Sequence, residues 1–138
     1  MKSYLSHLEC TSCGKTYIAD EPNRICLACG KVLYARYDLG SVRKKLNRDL
    51  LANRVNNMWR YREIMPVRHE ENIISLGEGM TPLLKASNLG DQLGCDSLYI
   101  KDEGSNPTGS FKARGLSAAV SKAKELGLTR ITMPSAGN

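Results

Sequence analysis

Four of the five cysteines form two Cys-x-x-Cys pairs with the spacing of metal ligands, and a glycine follows each pair. Two residues between thiolates let both sulfurs reach one ion from a tight turn, and glycine permits the positive φ that such a turn needs. Four thiolates complete a closed tetrahedral site, which favours a structural zinc ion; the ligand set alone leaves iron open. The predicted metal ligands are Cys10, Cys13, Cys26 and Cys29.

A lysine lies just after a stretch of turn residues. Residues 97–101 have the pattern of a strand, residues 102–109 contain glycine and proline, and a helix is predicted from Ser110 to Leu126. Lys112 would lie in the first turn of that helix, where a positive charge is unfavourable against the helix dipole. Its position suits an amine with a chemical role, although the spacing alone leaves an ordinary solvent-facing lysine equally open.

Two segments precede this region and must position its chemistry. Residues 1–40 carry the cysteine pairs and alternating stretches, such as 31–37, that suit short strands, so we predict a zinc-ribbon-like segment. Residues 41–74 form a connecting segment and linker. In its first part, apolar residues recur at intervals of three and four, which predicts a helix from Ser41 to Tyr61.

Residues 75–138 have α/β character. A strand at 97–101, the helix after it and a second strand at 129–133 predict a parallel pair with a right-handed crossover. One such unit cannot cover both faces of a sheet, so the sheet is expected to be incomplete. The predicted buried stripe of the helix consists of Ala113, Leu116, Ala119, Val120 and Ala123.

Composition limits the classes of protein that fit. The 138 residues are 41% hydrophobic and 25% charged, as in a globular protein. No apolar run of about 18 residues predicts a membrane span, and the N-terminus lacks a signal-peptide pattern, so we expect a cytoplasmic protein without a membrane partner. Residues 31–70 hold ten basic and four acidic residues, a net of +6. This block favours a solvated helix over a nucleic-acid surface.

Three motifs in order carry a resemblance to a known family. Residues 106–115, Asn-Pro-Thr-Gly-Ser-Phe-Lys-Ala-Arg-Gly, resemble the cofactor-lysine motif of the tryptophan-synthase-β-like (fold type II) pyridoxal-phosphate enzymes. Residues 75–83 resemble the Gly-x-Thr-Pro-Leu element of that family, and residues 135–138 its Ser-x-Gly-Asn loop. With residues 58–63, Met-Trp-Arg-Tyr-Arg-Glu, the combination looks most like the threonine synthase branch, which converts O-phosphohomoserine and water to threonine and phosphate.

The resemblance implies roles for individual residues. Lys112 would hold pyridoxal phosphate as a Schiff base and act as general base and acid, beside the cofactor-binding residues Phe111 and Asn138. The implied substrate contacts, to a phosphorylated amino acid, are Thr81, Thr108 and Ser135. The motifs correspond to the first part of such an enzyme only. The glycine-rich loop for the cofactor phosphate is not among these residues, so we expect the chain alone to be inactive.

Other interpretations stay open at this point. Another fold type II enzyme, such as a cysteate synthase or a threonine or serine dehydratase, would share Lys112 and differ elsewhere. A zinc-ribbon module that binds nucleic acid is a hypothesis of another class, but the single Phe and single Trp offer few stacking aromatics, so no nucleic-acid partner is expected. A homo-oligomer is compatible with the sequence.

Overall fold

The N-terminal part of the chain folds as a small antiparallel sheet. The computed structural model describes residues 3–133. The strands are β1 (Leu5–Cys10), β2 (Thr16–Ile18) and β3 (Leu33–Tyr37), in the order β2-β1-β3. Cys10 ends β1 and lies opposite Leu33 at the start of β3. Because β1 and β3 meet at these ends, both cysteine turns lie at the same edge of the sheet.

The connecting segment contains short helices instead of the single helix predicted from Ser41 to Tyr61, so that prediction is wrong. The observed elements are α1 (Leu39–Lys45), α2 (Arg48–Ala52) and a kinked 3-10 helix, Met58–Ile64. Each one begins after a side chain that accepts a hydrogen bond from a backbone N–H two or three residues on. These capping residues are Asp38, Asn47 and Asn57. Such side chains compete with a continuous helix and restart it.

The region after residue 75 contains α/β elements, but they are arranged differently from the prediction. Its strands are β4 (Leu83–Lys85) and β5 (Tyr99–Lys101), which pair antiparallel with α3 (Ser87–Leu93) between them. The predicted strand at 129–133 is not formed, so the predicted parallel pair is wrong for the described residues. No described strand pairs with this stretch, and a strand without a neighbour leaves its backbone groups unpaired.

Helix α4 (Lys112–Glu125) is the longest element that the structure describes. It begins two residues later than predicted and ends one residue earlier, and Gly127 follows it with a positive φ of 71°. Ala113 and Ala123 are buried as predicted, but Leu116 is 38% exposed and Ala119 is also exposed. The buried face instead includes Ser121, whose hydroxyl accepts from the Ile74 N–H at 2.8 Å. The predicted apolar stripe is therefore only partly buried.

A small core joins α4 to the connecting segment. Met58, Trp59 and Val67 are buried together, and Ala118 of α4 packs against them. No described helix combines the length and the apolar character needed to cross a bilayer.

The sheet is fastened to α4 through charged side chains. Asp20, just after β2, lies 2.7 Å from Arg68 Nε and 2.9 Å from Lys122 Nζ. Lys122 also pairs with Glu125 at 2.7 Å, and Glu125 accepts from the backbone N–H of Arg68 at 2.8 Å. The cysteine-bearing sheet and the helix that starts at Lys112 are thus connected by one ion-pair network.

Candidate functional site

The four paired cysteines converge on one point. The Sγ atoms of Cys10, Cys13, Cys26 and Cys29 all lie within 4.8 Å of one another. Cys10 and Cys29 approach to 3.4 Å, and Cys13 and Cys26 to 3.5 Å, with no disulfide between them. With metal–sulfur bonds of about 2.3 Å, four tetrahedral sulfurs lie about 3.8 Å apart. The observed spacing therefore fits a tetrahedral metal ion.

Local backbone geometry explains how each pair reaches this point. Gly14 and Gly30 both have a φ of 71°, the left-handed conformation that the sequence predicted for the residue after each pair. Their N–H groups donate to the carbonyl oxygens of Cys10 and Cys26, which closes each turn. Cys10 also accepts from the backbone N–H of Ser12 at 3.4 Å. Thiolates bound to metal are stabilised by such donors.

A tyrosine that sequence reasoning missed supports the same cluster. The Tyr17 hydroxyl lies 3.1 Å from Cys26 Sγ and accepts from the Leu27 N–H at 2.9 Å. This hydrogen bond lowers the pKa of Cys26 to about 6, because it stabilises the thiolate that a metal requires. Tyr17 lies four residues after Cys13, and only the strand pairing of β2 with β1 brings it close.

The second candidate site is built around the start of α4. The loop at 106–110 leads into the helix, and the buried Ser110 accepts from the Lys112 N–H at 3.1 Å. Ser110 therefore supplies an acceptor for the first backbone N–H of the helix. Thr108, in the same loop, is exposed. The Lys112 side chain is half-buried, and Phe111 is 64% exposed.

A polar network behind this loop is centred on Glu103. Arg114 donates to its carboxylate through Nε at 2.7 Å and through a terminal nitrogen at 2.8 Å. Thr81 donates to it at 2.6 Å and Asn106 at 3.0 Å. The Arg114 guanidinium, followed by the Thr81 hydroxyl, lowers the pKa of Glu103 to about 2. The network therefore holds an ionised carboxylate across the whole physiological pH range.

Residues 75–83 contact the rest of the structure through the buried carboxylate of Glu78 and the backbone of Gly79. Glu78 is 1% exposed and accepts from Trp59 Nε1 at 3.0 Å and from the Ser75 hydroxyl. Gly79 has a φ of 111°, and a Cβ placed there would lie 2.6 Å from the Met58 backbone nitrogen. Only glycine fits this contact without a shift of the backbone.

Some of the predicted site residues lie in the described part of the chain and others do not. Thr81, Thr108, Phe111 and Lys112 belong to adjoining segments, whereas Ser135 and Asn138 lie outside the described residues. Thr81 is 6% exposed, and its hydroxyl donates to Glu103 and accepts from Arg114 at 3.2 Å.

Sequence reasoning missed the network of Glu103 with Arg114 and, separately, the buried carboxylate of Glu78. The available signal was that charged residues stand inside or beside the three motifs, where polar side chains usually find partners.

A mostly apolar groove of about 270 Å³ runs beside the loop at 106–110 that precedes Lys112, which we call the lysine loop. Thr108 and Ala113, on either side of the lysine in sequence, contribute to its wall with Leu116 and Val120 of α4. Ile74 and Leu76 form other parts of it. Three residues of the predicted stripe of α4, Ala113, Leu116 and Val120, therefore line this groove.

Residues 74–138 match the family model described as "Pyridoxal-phosphate dependent enzyme". The match includes the lysine loop, α4 and the segment with the buried carboxylate. Members of the family use pyridoxal phosphate, as the family description states.

The relatives are threonine synthases. The chain is 45% identical over 129 residues to the threonine synthase of Methanocaldococcus jannaschii, covering 94% of this chain and 32% of the relative. It is 39% identical over 132 residues to that of Methanosarcina acetivorans, covering 96% of this chain and 32% of the relative. A threonine synthase of Halalkalibacterium halodurans is 50% identical over 78 residues, covering 56% of this chain and 22% of the relative. The chain thus spans 32% of the length of the first two relatives.

Proposed function

We propose that the whole protein to which this chain belongs is a threonine synthase, a lyase that converts O-phospho-L-homoserine and water to L-threonine and phosphate. One observation carries the proposal: 94% of the chain aligns at 45% identity with a threonine synthase. Because the alignment covers nearly the whole chain, it must include the lysine loop. We also infer that the catalytic domain has the fold type II architecture and begins near residue 75, after a ribbon at 1–40 and a linker at 41–74.

In this proposal Lys112 is the residue that holds pyridoxal phosphate. The residues present suit pyridoxal phosphate, because the Lys112 amine belongs to the first turn of α4. Ser110 accepts from the Lys112 N–H at the start of that helix. When bound, pyridoxal phosphate supplies an electron sink that stabilises negative charge on substrate carbons. The Lys112 amine would take the proton from Cα of the substrate and return protons later, as general base and acid. Phe111 and Asn138 complete the cofactor contacts that we propose.

Among the surrounding residues, we propose that some contact the substrate and that one positions the lysine loop. We propose Thr108 and Ser135 as substrate contacts, since Thr108 is exposed beside the groove. Thr81, first predicted to be a third contact, has its hydroxyl engaged by Glu103 and Arg114. Its contribution is therefore to position the lysine loop, and substrate binding by Thr81 remains an untested prediction.

We further propose that the four-cysteine cluster binds zinc in a structural role. The closed set of four thiolates leaves no open position for a substrate, and their spacing fits a zinc ion. The sheet that carries them has few buried apolar residues, so metal binding would contribute much of its folding free energy.

Chemical trapping tests the assignment of Lys112. Borohydride reduction of the cofactor-loaded whole protein, followed by peptide mass mapping, should leave the added cofactor mass on Lys112. The Lys112→Ala variant should carry no trapped cofactor, and the exposed control Lys85→Ala should trap it as the wild type does. Trapped cofactor at another lysine, or its persistence in Lys112→Ala, would show that Lys112 does not hold it.

A further inference from the structure

Asn106 is a buried residue of the lysine loop whose side-chain amide joins two other segments of the chain. It is 5% exposed, and its Oδ1 accepts from the backbone N–H of Gly79 at 3.1 Å. Its side-chain nitrogen donates to the Glu103 backbone carbonyl at 2.9 Å and to the Glu103 carboxylate at 3.0 Å. Because the Gly79 N–H can only donate and both Glu103 oxygens accept, these partners fix the orientation of the amide.

The backbone of Asn106 starts the turn that leads to Lys112. Its carbonyl oxygen accepts from the Gly109 N–H at 2.8 Å, which closes a four-residue turn with Pro107 at the second position. Ser110 follows directly, and its hydroxyl accepts from the Lys112 N–H at 3.1 Å. A displacement of Asn106 is therefore passed to the lysine through a short stretch of hydrogen-bonded chain.

The segment bound by the Asn106 carbonyl group of the side chain has an unusual backbone. Gly79 has a φ of 111°, and among the described residues other than glycine Met80 alone has a positive φ, of 50°. A non-glycine residue in this conformation persists only where the surrounding structure holds it. The bond from the Gly79 N–H to Asn106 is one such contact. Because Thr81 directly follows Met80, the same contact helps to place the Thr81 hydroxyl.

We propose that Asn106 is a positioning residue for the Lys112 amine, because its side-chain amide locks the lysine loop to the turn at 77–81. Only a group that both donates and accepts can bond to the Glu103 oxygens and to the Gly79 N–H at the same time, and an amide does so without a charge. Asn106 acts through the backbone and not by contact with the cofactor. Since Lys112 is taken as the lysine that holds pyridoxal phosphate, this role rests on the proposed function.

Asn106→Asp has almost the same shape as the wild type, but its hydrogen bonding depends on pH. The introduced carboxyl can still accept from the Gly79 N–H, whereas it can donate to the Glu103 carboxylate only when it is protonated. Arg114 keeps Glu103 ionised through bonds of 2.7 and 2.8 Å. The charged groups on the elements around Asn106 are Glu78, Lys101, Asp102, Glu103, Lys112 and Arg114. Two carboxyl groups in contact raise the pKa of one of them, so the introduced carboxyl should regain its proton as the pH falls.

Borohydride trapping of subsaturating pyridoxal phosphate on Lys112 of the whole protein, at about pH 8 and about pH 6, tests the role of Asn106. Relative to the wild type at the same pH, Asn106→Asp should trap about tenfold less cofactor at the higher pH and come within about twofold at the lower. Asn106→Ala loses both bonds at any pH and should trap less at both values. The exposed control Asn88→Asp should match the wild type. Wild-type trapping by both Asn106 variants, or a deficit of Asn106→Asp that does not depend on pH, would overturn the proposal.

Hydrogen exchange measured by mass spectrometry gives a readout that needs neither cofactor nor turnover. In Asn106→Ala, exchange should be about tenfold faster or more in the two joined segments, 75–83 and 103–112, and unchanged in α3 (Ser87–Leu93). Unchanged exchange in either joined segment would overturn the proposal, also where Asn106→Asp fails to fold. A wild type that traps no cofactor on Lys112 would instead refute the proposed function, and the exchange rates would still decide whether Asn106 links the two segments.

Discussion

Arg114 and Glu103 form a two-pronged ion pair, with Arg114 Nε 2.7 Å from Oε2 and a terminal nitrogen 2.8 Å from Oε1. The pair joins the first turn of α4, which begins at Lys112, to the short helical turn after β5. Thr81 donates to the same carboxylate, so three separate segments of chain meet at Glu103. Lys112 lies two residues before Arg114, so this ion pair holds the backbone that carries the lysine.

Arg114→Lys should impair catalysis without unfolding the protein. Lysine keeps the charge but cannot form both bonds to Glu103, so the lysine loop would be less well placed. We expect kcat in the whole protein to fall by about tenfold to a hundredfold, with a smaller change in KM. Steady-state kinetics measure this, with circular dichroism to confirm the fold. The exposed control Arg130→Lys should stay near the wild type; equal kcat values for the two variants would argue against a positioning role.

Asp20→Asn should weaken the attachment of the sheet to α4 in a pH-dependent way. Hydrogen bonds and charge from Arg68 and Lys122 lower the pKa of Asp20 from 3.8 to about 2. Because the folded-state pKa is lowered, the stabilisation is complete above about pH 4 and is lost as the pH falls towards 2. Since Asp20 is half exposed, its loss should cost only about 1 kcal/mol of unfolding free energy.

Urea unfolding of the wild type and of Asp20→Asn at about pH 7, 5 and 3 measures the difference in their unfolding free energies. The gap should be constant between the two higher values and should shrink at the lowest. The exposed Asp96→Asn, with no ion pair in the part of the chain that the structure describes, is the matched control. A gap that is independent of pH would mean that the Asp20 charge is not responsible.

Cys13→Ser should abolish metal binding. The Cys13 sulfur lies 3.5 Å from that of Cys26, and its loss opens the four-thiolate set. We expect the purified whole protein to contain about one zinc per chain and the variant to contain far less, with faster proteolysis of residues 1–40. Elemental analysis measures the metal. Cys95→Ser, which changes the exposed cysteine outside the cluster, should retain it. Metal-free wild-type protein, or iron in place of zinc, would refute the zinc assignment.

Gly79→Ala should be strongly destabilising. The added methyl group would lie 2.6 Å from the Met58 nitrogen, and the φ of 111° is unfavourable for any other residue. We expect a loss of at least about 2 kcal/mol in unfolding free energy. Gly115→Ala is the contrasting variant, since nothing lies within 4 Å of its Cβ position in the described structure. Near the start of α4, Gly115→Ala should be neutral or gain up to about 1 kcal/mol. Similar losses for both variants would remove the packing explanation.

Some of this organisation could be read from the sequence because it depends on local chemistry. The cysteine pairs, the positive φ of Gly14 and Gly30, and the end of α4 at Gly127 follow from residue type and spacing alone. The lysine loop was identified by its resemblance to a family motif, because spacing alone left an ordinary solvent-facing lysine equally open.

Other features depend on contacts between distant segments. Asn47 and Asn57 could each cap a new helix or lie inside one continuous helix. The apolar periodicity favoured the continuous helix, whereas both residues are caps. The strand predicted at 129–133 needs a neighbour that the described structure does not provide. Glu78 and Glu103 were missed because their partners, Trp59 and Arg114, lie 19 and 11 residues away.

The most direct test of the central claim is to incubate the cofactor-loaded whole protein with O-phospho-L-homoserine and to quantify threonine and phosphate. The proposal predicts equal amounts of both products from the wild type, and neither above background from Lys112→Ala. Phosphate without threonine, or turnover of phosphoserine in place of O-phosphohomoserine, would assign the protein to another reaction. Unimpaired threonine formation by Lys112→Ala would contradict the role given to this lysine.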